Sequence, residues 1–379
     1  MDVQSQANLT RRHAPQTHVK KIPRELRRLP VIIPRNLNAF QRWLLKLKLD
    51  SQFLRFHVQA GFLLLCVWIG KEFVWFVRWL EGGGLGSAPT RPPGVEGFLP
   101  LSALVGLKHF FLTGQLNQIH PASVFIFLAI VALGVLLKKS FCSWLCPVGW
   151  LAEMHWRLGR KILRDNLSVP KWLDYPLRSL KYLLLFFFVY VILWQMGLRE
   201  LTSFLASDYN KVADIKMLYF FEHPGRTTLM TLLILSLLSL PIKNFWCRYL
   251  CPYGALLGTL SLISPAKVRR NSKTCIDCTL CTKACPANIP VHRLDQVHSD
   301  ECTACLACVQ ACPVRDTLDL RTAVKGRRVP PVVFAVFIVA FFAAITGFGM
   351  LAGYWQNALS NSDYLRLMPA IHSFGHPGQ

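Results

Sequence analysis

The sequence is short of negative charge. It sets 20 aspartates and glutamates against 43 lysines and arginines, a formal net charge of +23 over 379 residues. In a soluble chain that imbalance would point to nucleic acid. Here 53% of the residues are hydrophobic and they are bunched into long runs. A membrane protein attracted to anionic lipid is therefore the better class, and no nucleic-acid partner is expected. A secretory signal is also missing. The first 50 residues are basic, contain proline and lack an early apolar core, so the first membrane helix is expected to act as its own signal. There is no Ser–His–Asp arrangement, no phosphate-binding loop and no Rossmann glycine pattern, which leaves no catalytic constellation. Haem would need facing histidines inside the membrane, whereas His57, His120 and His223 all fall at helix ends.

What is present begins with five stretches long enough to cross a bilayer, which takes roughly 20 helical residues. They are Val58–Leu80, Ala122–Phe141, Ser179–Gly197, Thr227–Trp246 and Pro331–Gly353. A sixth, Phe98–Gly114, is shorter, contains Lys108 and His109, and reads as a surface or re-entrant helix. Residues 1–55, 138–181 and 242–329 hold 34 of the 43 lysines and arginines. Positive loops stay cytoplasmic, so five spans put the N-terminus inside and the C-terminus outside a bacterial inner membrane. A sixth span would swap every later loop. The expected fold is an all-α membrane protein. A basic cytoplasmic tail (1–57) leads to a transmembrane domain (58–266). A small cytoplasmic domain (267–328) is inserted before the last helix (329–353), and a periplasmic tail (354–379) follows. The stretch from Arg35 to His57 reads as an amphipathic helix on the inner surface.

Cysteine is concentrated. Of 13, eight lie in CIDCTLCTKACP (Cys275, Cys278, Cys281, Cys285) and CTACLACVQACP (Cys302, Cys305, Cys308, Cys312). Both are C-x2-C-x2-C-x3-C-P, the run that binds [4Fe–4S] clusters. Three close thiolates hold three corners of the cube and a remote fourth comes from the other run. Cys312 is thus expected to join Cys275, Cys278 and Cys281, and Cys285 to join Cys302, Cys305 and Cys308. A disulfide framework is disfavoured in the cytosol, and zinc knuckles lack this tripled pattern. Pro286 and Pro313 turn the chain away, and Ile289, Pro290 and Val291 are expected to pack on the cluster faces. The domain is too small for much apolar core, so cluster ligation is expected to replace it.

Four further cysteines sit in a repeat. FCSWLCPVG from Phe141 and WCRYLCPYG from Trp246 share Cys-x-x-Leu-Cys-Pro-x-Gly, each after an apolar run and a lysine. Proline disfavours helix in the residue before it and suits the first position of a new helix. Cys146 and Cys251 are therefore expected at bends near helix N-termini, where the dipole lowers thiol pKa. Lys138, Lys139 and Lys243 are expected to snorkel to the interface beside them. The four thiols Cys142, Cys146, Cys247 and Cys251 could ligate a third metal or cluster. They could instead form a redox dithiol site, dock a partner, or serve only as small apolar residues in a corner.

With two such corners and a pair of ferredoxin runs, the chain resembles the NapH/NosR-type membrane polyferredoxins over about residues 58–353. The resemblance rests on FCSWLCPVG, WCRYLCPYG and CIDCTLCTKACPANIPV. It implies electron transfer between the quinone pool and a respiratory or maturation partner; the chain is then an electron carrier or a quinol-oxidising subunit, with quinone or quinol as its small-molecule partner. Nothing before Val58 is large enough for the flavin domain of the long NosR form. The competing reading is a redox-sensing regulator or assembly factor.

Other residues stand outside these motifs. Lys71 and Glu72 lie within the first span and are either functional or snorkelling, with Trp75, Arg78 and Trp79 after them. Arg91 and Glu96, in RPPGVEGFLP, could line a quinol pocket with His109 and His120. Cys66 reads as a membrane-facing or packing residue. The histidines of IHSFGHPGQ are a weak metal signal.

Overall fold

A computed structural model describes residue 34, residues 37–322 and residues 326–374. The basic segment before Pro34, and the last histidine of the tail (His376), lie outside the described residues. The architecture is helix-rich. Helix α1 (Ala39–Leu49) starts at a capping box in which Asn38 and Gln41 satisfy each other's backbone N–H groups. It buries none of its side chains. Asp50 accepts from the N–H groups of Gln52 and Phe53, which stops α1 and starts α2 (Ser51–Glu81).

Three apolar helices are long enough to cross a membrane: α2, residues Lys171–Gln195, and Pro331–Leu351. The other two expected spans form shorter apolar helices, α4 (Pro121–Leu137) and α7 (Arg226–Ser239), after α3 (Pro100–Thr113), α5 (Pro147–Leu163) and α6 (Lys171–Tyr190). The local chemistry explains the early stops. Lys138 has φ 62°, which ends α4, and Pro241 lies just past α7. Between each stop and its Cys-Pro corner the chain forms one further turn, at Ser140–Trp144 and Trp246–Leu250.

Helix α4 is the hub. It packs against α3, α8 (Pro252–Leu260) and α11 (Pro331–Leu351). Exposed leucines, phenylalanines and isoleucines cover α6 and α7, among them Phe186, Phe187, Leu233 and Ile234, as expected of lipid-facing helices. One departure from an all-helical reading is a two-stranded antiparallel sheet, β1 (Ala266–Arg270) with β2 (Leu318–Thr322), in register from Ala266 opposite Thr322. It closes the cysteine-rich unit by pairing its first segment with its last. Inside that unit α9 (Leu280–Ala284) and α10 (Ala307–Ala311) pack together.

Two apolar clusters mark opposite poles of α2. Leu54, Val58 and Phe62 pack into the one that includes the cysteine-rich unit. Phe73, Phe76, Val77 and Leu80 pack with Tyr364, Leu367 and Ile371 in the other. Thirty-one residues of helix at about 1.5 Å per residue separate these ends.

Candidate iron–sulfur sites

Twelve cysteines fall into three groups of four. Cys275, Cys278, Cys281 and Cys312 line one cavity, beside Arg270 and His292. Cys285, Cys302, Cys305 and Cys308 line a second, against Ile289 and Val291. Each group takes three cysteines from one run and its fourth from the other. Among the described residues, no three His, Cys, Asp or Glu side chains converge as the ligands of a single bare ion do.

The two ferredoxin-type loops share a backbone. Asp277 and Thr279 have φ 56° and 58°, and the equivalent Ala304 and Leu306 have φ 49° and 59°. Left-handed geometry costs a residue with a side chain about 1–2 kcal/mol. Left-handed residues recurring at the same two positions are the backbone pattern of a nest, which suits an anionic group such as a thiolate-bound cluster. After each loop a short helix ends at an extended cysteine, Cys285 (φ −72°, ψ 119°) or Cys312 (φ −74°, ψ 120°), imposed by the following proline. Burial pushes the Cys285 thiol up to about 12 and raises Cys302 and Cys308. Thiolates here need adjacent positive charge, so the donor set fits a cluster.

Cys142, Cys146, Cys247 and Cys251 line a third cavity of about 400 Å³. Cys146 and Cys251 are the caps of α5 and α8, each extended, with proline at the first helical position. The Cys251 sulfur accepts from the Gly254 N–H at 3.3 Å. The motif glycine has a packing reason. A Cβ on Gly149 would lie 2.1 Å from the Cys142 carbonyl oxygen, and one on Gly254 would lie 3.3 Å from that of Cys247. The glycine thus lets the new helix nest under the first cysteine of its own corner. The expectation of lowered thiol pKa is corrected. Burial pushes all four thiols up, and the helix N-termini do not outweigh it.

A second correction concerns the lysines. Lys138 and Lys139 are buried rather than snorkelling. Lys138 Nζ donates to the Ser299 carbonyl at 3.2 Å, and Lys139 pairs with Glu301 at 3.4 Å. Lys243 lies over the Trp156 ring. Glu301 also binds Lys181 and Arg178 of α6, and Asp300 takes Arg178 at 3.0 Å and the Tyr182 hydroxyl. This network lies immediately before Cys302. Sequence reasoning missed it because its partners are more than 100 positions apart. Two more ion pairs brace the corners. Arg55 grips Glu153 through both nitrogens at 2.7 and 2.6 Å, and Arg248 grips Asp174 at 2.9 and 2.8 Å. The arginine inside the second corner motif was the one available signal.

At the far pole Arg91 and Glu96 pair at 3.0 Å, and Asp214 binds Arg91 at 2.6 Å. His120 Nε2 donates to the Asn210 carbonyl at 2.7 Å, with Nδ1 3.5 Å from Glu96. His109 does not join them; its ring nitrogen meets the Gln115 carbonyl. Lys71 and Trp75 are exposed on α2.

Fold and sites together define an iron–sulfur protein built on apolar helices. A 4Fe-4S binding domain model matches residues 119–164 and again 226–271, and a 4Fe-4S dicluster domain model matches residues 267–313. The chain is 42% identical over 323 residues to the "Putative electron transport protein YccM" of Escherichia coli, covering 84% of this chain and 90% of that one. It is 27% identical over 199 residues to the ferredoxin-type protein NapH of Haemophilus influenzae, covering 51% and 63%. Against the regulatory protein NosR of Pseudomonas aeruginosa it is 29% identical over 171 residues, covering 43% and 22%. No solved structure matches. The chain belongs to the NapH/NosR-type family of ferredoxin-type electron-transport proteins, with YccM among its relatives.

Proposed function

We propose that the protein carries electrons between the quinone pool and a redox partner protein, from a five-helix anchor in the bacterial inner membrane. Cys275, Cys278, Cys281 and Cys312 would hold one [4Fe–4S] cluster, and Cys285, Cys302, Cys305 and Cys308 a second. Cys142, Cys146, Cys247 and Cys251 would hold a third cofactor of the same kind. The carrying observation is the grouping of twelve cysteines, four around each of three cavities. That the same 4Fe-4S binding domain model matches both corner repeats supports the third site. Bound clusters supply one-electron carriers whose potentials follow burial and hydrogen bonding. The chain's own residues shield the thiols from water, brace the loops and keep the corners apposed.

Anaerobically purified protein is expected to contain about twelve iron and twelve acid-labile sulfides, against about eight of each if the corners bind no cluster. Cys146→Ser and Cys251→Ser should each leave the other two clusters assembled, as read by electron paramagnetic resonance after dithionite, and abolish their reduction by duroquinol. The double variant should be no worse than either single one, because one relay cannot be broken twice. Reduction by duroquinol at the wild-type rate in the double variant would show the corners to be structural.

The proposed orientation puts the cluster domain and N-terminus in the cytoplasm, following the positive loops. A cysteine placed at Ser360 should react with an impermeant maleimide in spheroplasts, and one placed at Ser272 only after the membrane is permeabilised. Labelling of both from one side would overturn the five-span arrangement.

A further inference from the structure

The two ferredoxin-type sites have the same loop but different surroundings. Around Cys302 and Cys305, three successive carbonyls are held by side chains from outside the cysteine-rich unit. Ser143 Oγ donates to Thr303 at 2.7 Å, Trp144 Nε1 to Ala304 at 3.1 Å, and Gln52 Nε2 to Cys305 at 2.9 Å. Ser143 and Trp144 are two of the three residues between Cys142 and Cys146. From the other corner, Arg248, between Cys247 and Cys251, donates from Nη1 to the Ala287 carbonyl at 2.7 Å. Ala287 lies two residues past Cys285. Each corner therefore reaches, with residues lying between its own cysteines, a loop that supplies a thiol to the same group of four. Pro286, Ala287, Glu301 and Thr303 also form part of the wall of the corner cavity.

The group of Cys275, Cys278, Cys281 and Cys312 has no such bond to its Cys275–Cys281 loop among the described residues. Its loop is held from within the unit, where the Thr274 and Thr317 hydroxyls bond at 2.7 Å. Its thiols are all partly exposed, whereas Cys285 and Cys308 are buried. Exposed Lys273, Lys283 and Arg293 lie in the segments that form this group and follow it.

We infer that the three groups form a line. The Cys285/Cys302/Cys305/Cys308 cluster is the inner one and exchanges electrons with the corners. The Cys275/Cys278/Cys281/Cys312 cluster is the outer one and is the port to a soluble one-electron partner. This order rests on the proposal that the corners carry electrons. Each transfer along the line oxidises one site and reduces the next by one electron, with no bond made or broken. The supply is two electrons per quinol, which leaves as quinone and two protons. Ser143, Trp144, Gln52 and Arg248 are positioning residues that hold the inner loops against the corners.

The first test uses the intact wild-type protein, fully reduced by dithionite and mixed with a soluble dysprosium chelate. Beside the corner signal, which disappears in Cys146→Ser, two classes of cluster signal are expected. The signal that disappears in Cys278→Ser should show several-fold faster spin relaxation than the one that disappears in Cys305→Ser. Equal enhancement, or more for the Cys305 cluster, would overturn the order. Should either variant fail to fold, Cys146→Ser, which lacks the corner signal, must still show two unequal classes. The second test is reduction by duroquinol. In Cys278→Ser the inner cluster should still be reduced, and in Cys305→Ser the outer cluster should stay oxidised while remaining reducible by dithionite. An outer cluster reduced at the wild-type rate in Cys305→Ser would overturn the line. Failure of the underlying relay proposal looks different: Cys146→Ser would then leave duroquinol reduction unchanged, while the dysprosium result would stand or fall on its own.

Discussion

Replacing Glu301 with alanine is expected to destabilise the protein by about 3–5 kcal/mol, the cost of leaving buried charges without their partner. The Glu301 carboxylate is 6% exposed and faces Lys181 at 0% and Lys139 at 4% exposure, with Arg178 at 3.2 Å. Removing it leaves those cations with Asp300, whose side chain already takes Arg178 and Tyr182. Because Glu301 immediately precedes Cys302, the loss should first appear as release of the inner cluster. Glu301→Gln keeps the shape and an acceptor, so it should cost less than the alanine. Thermal unfolding in detergent, followed by the cluster's visible absorbance, measures both. Equal midpoints for wild type and Glu301→Ala would show that the network contributes nothing to docking.

The second large effect separates two glycines that look equivalent in the repeat. Gly149→Ala drives a Cβ to 2.1 Å from a backbone oxygen, which no rotamer change relieves, whereas Gly254→Ala meets its oxygen at 3.3 Å. Overpacking costs typically 1–3 kcal/mol, and a clash with backbone belongs at or above about the upper end of that range. Gly149→Ala should therefore deform the first corner and remove the iron held there, while the two ferredoxin-type clusters remain visible after dithionite. Gly254→Ala should keep its full iron content. If Gly149→Ala also retains it, the corner geometry does not depend on this close approach.

These contrasts show what the sequence made legible. Cysteine spacing is local, so the two ferredoxin-type runs and the two corner pairs could be read from residue order, and the cavities bring together the cysteines that spacing groups. The two proline-capped corners could be read too, because a proline acts on its immediate neighbours. Helix extent was less legible: an apolar run does not reveal that Lys138 breaks α4 or that Pro241 cuts α7 short. The buried ionic network was not legible at all. Asp300 and Glu301 look like an ordinary acidic pair in a loop, and Lys139 like an interfacial anchor. Their meaning depends on Lys181 and Arg178, brought from about 120 residues away. The thiol titration was misjudged because a helix dipole is visible in sequence and the depth of burial is not.

The ionic cluster at the pole away from the cysteines bears on how the chain is made. Arg91 and Glu96 are translated early, and Asp214 follows Arg91 by 123 residues. All three end with side chains at most 6% exposed. Until Asp214 arrives, Arg91 has only Glu96 for a partner, and a charge left unpaired in an apolar setting is costly. That pole can close only after the segment carrying Asp214 has reached Arg91 and Glu96. Its closure is thus a late step in folding, which must wait for all of the chain between Arg91 and Asp214.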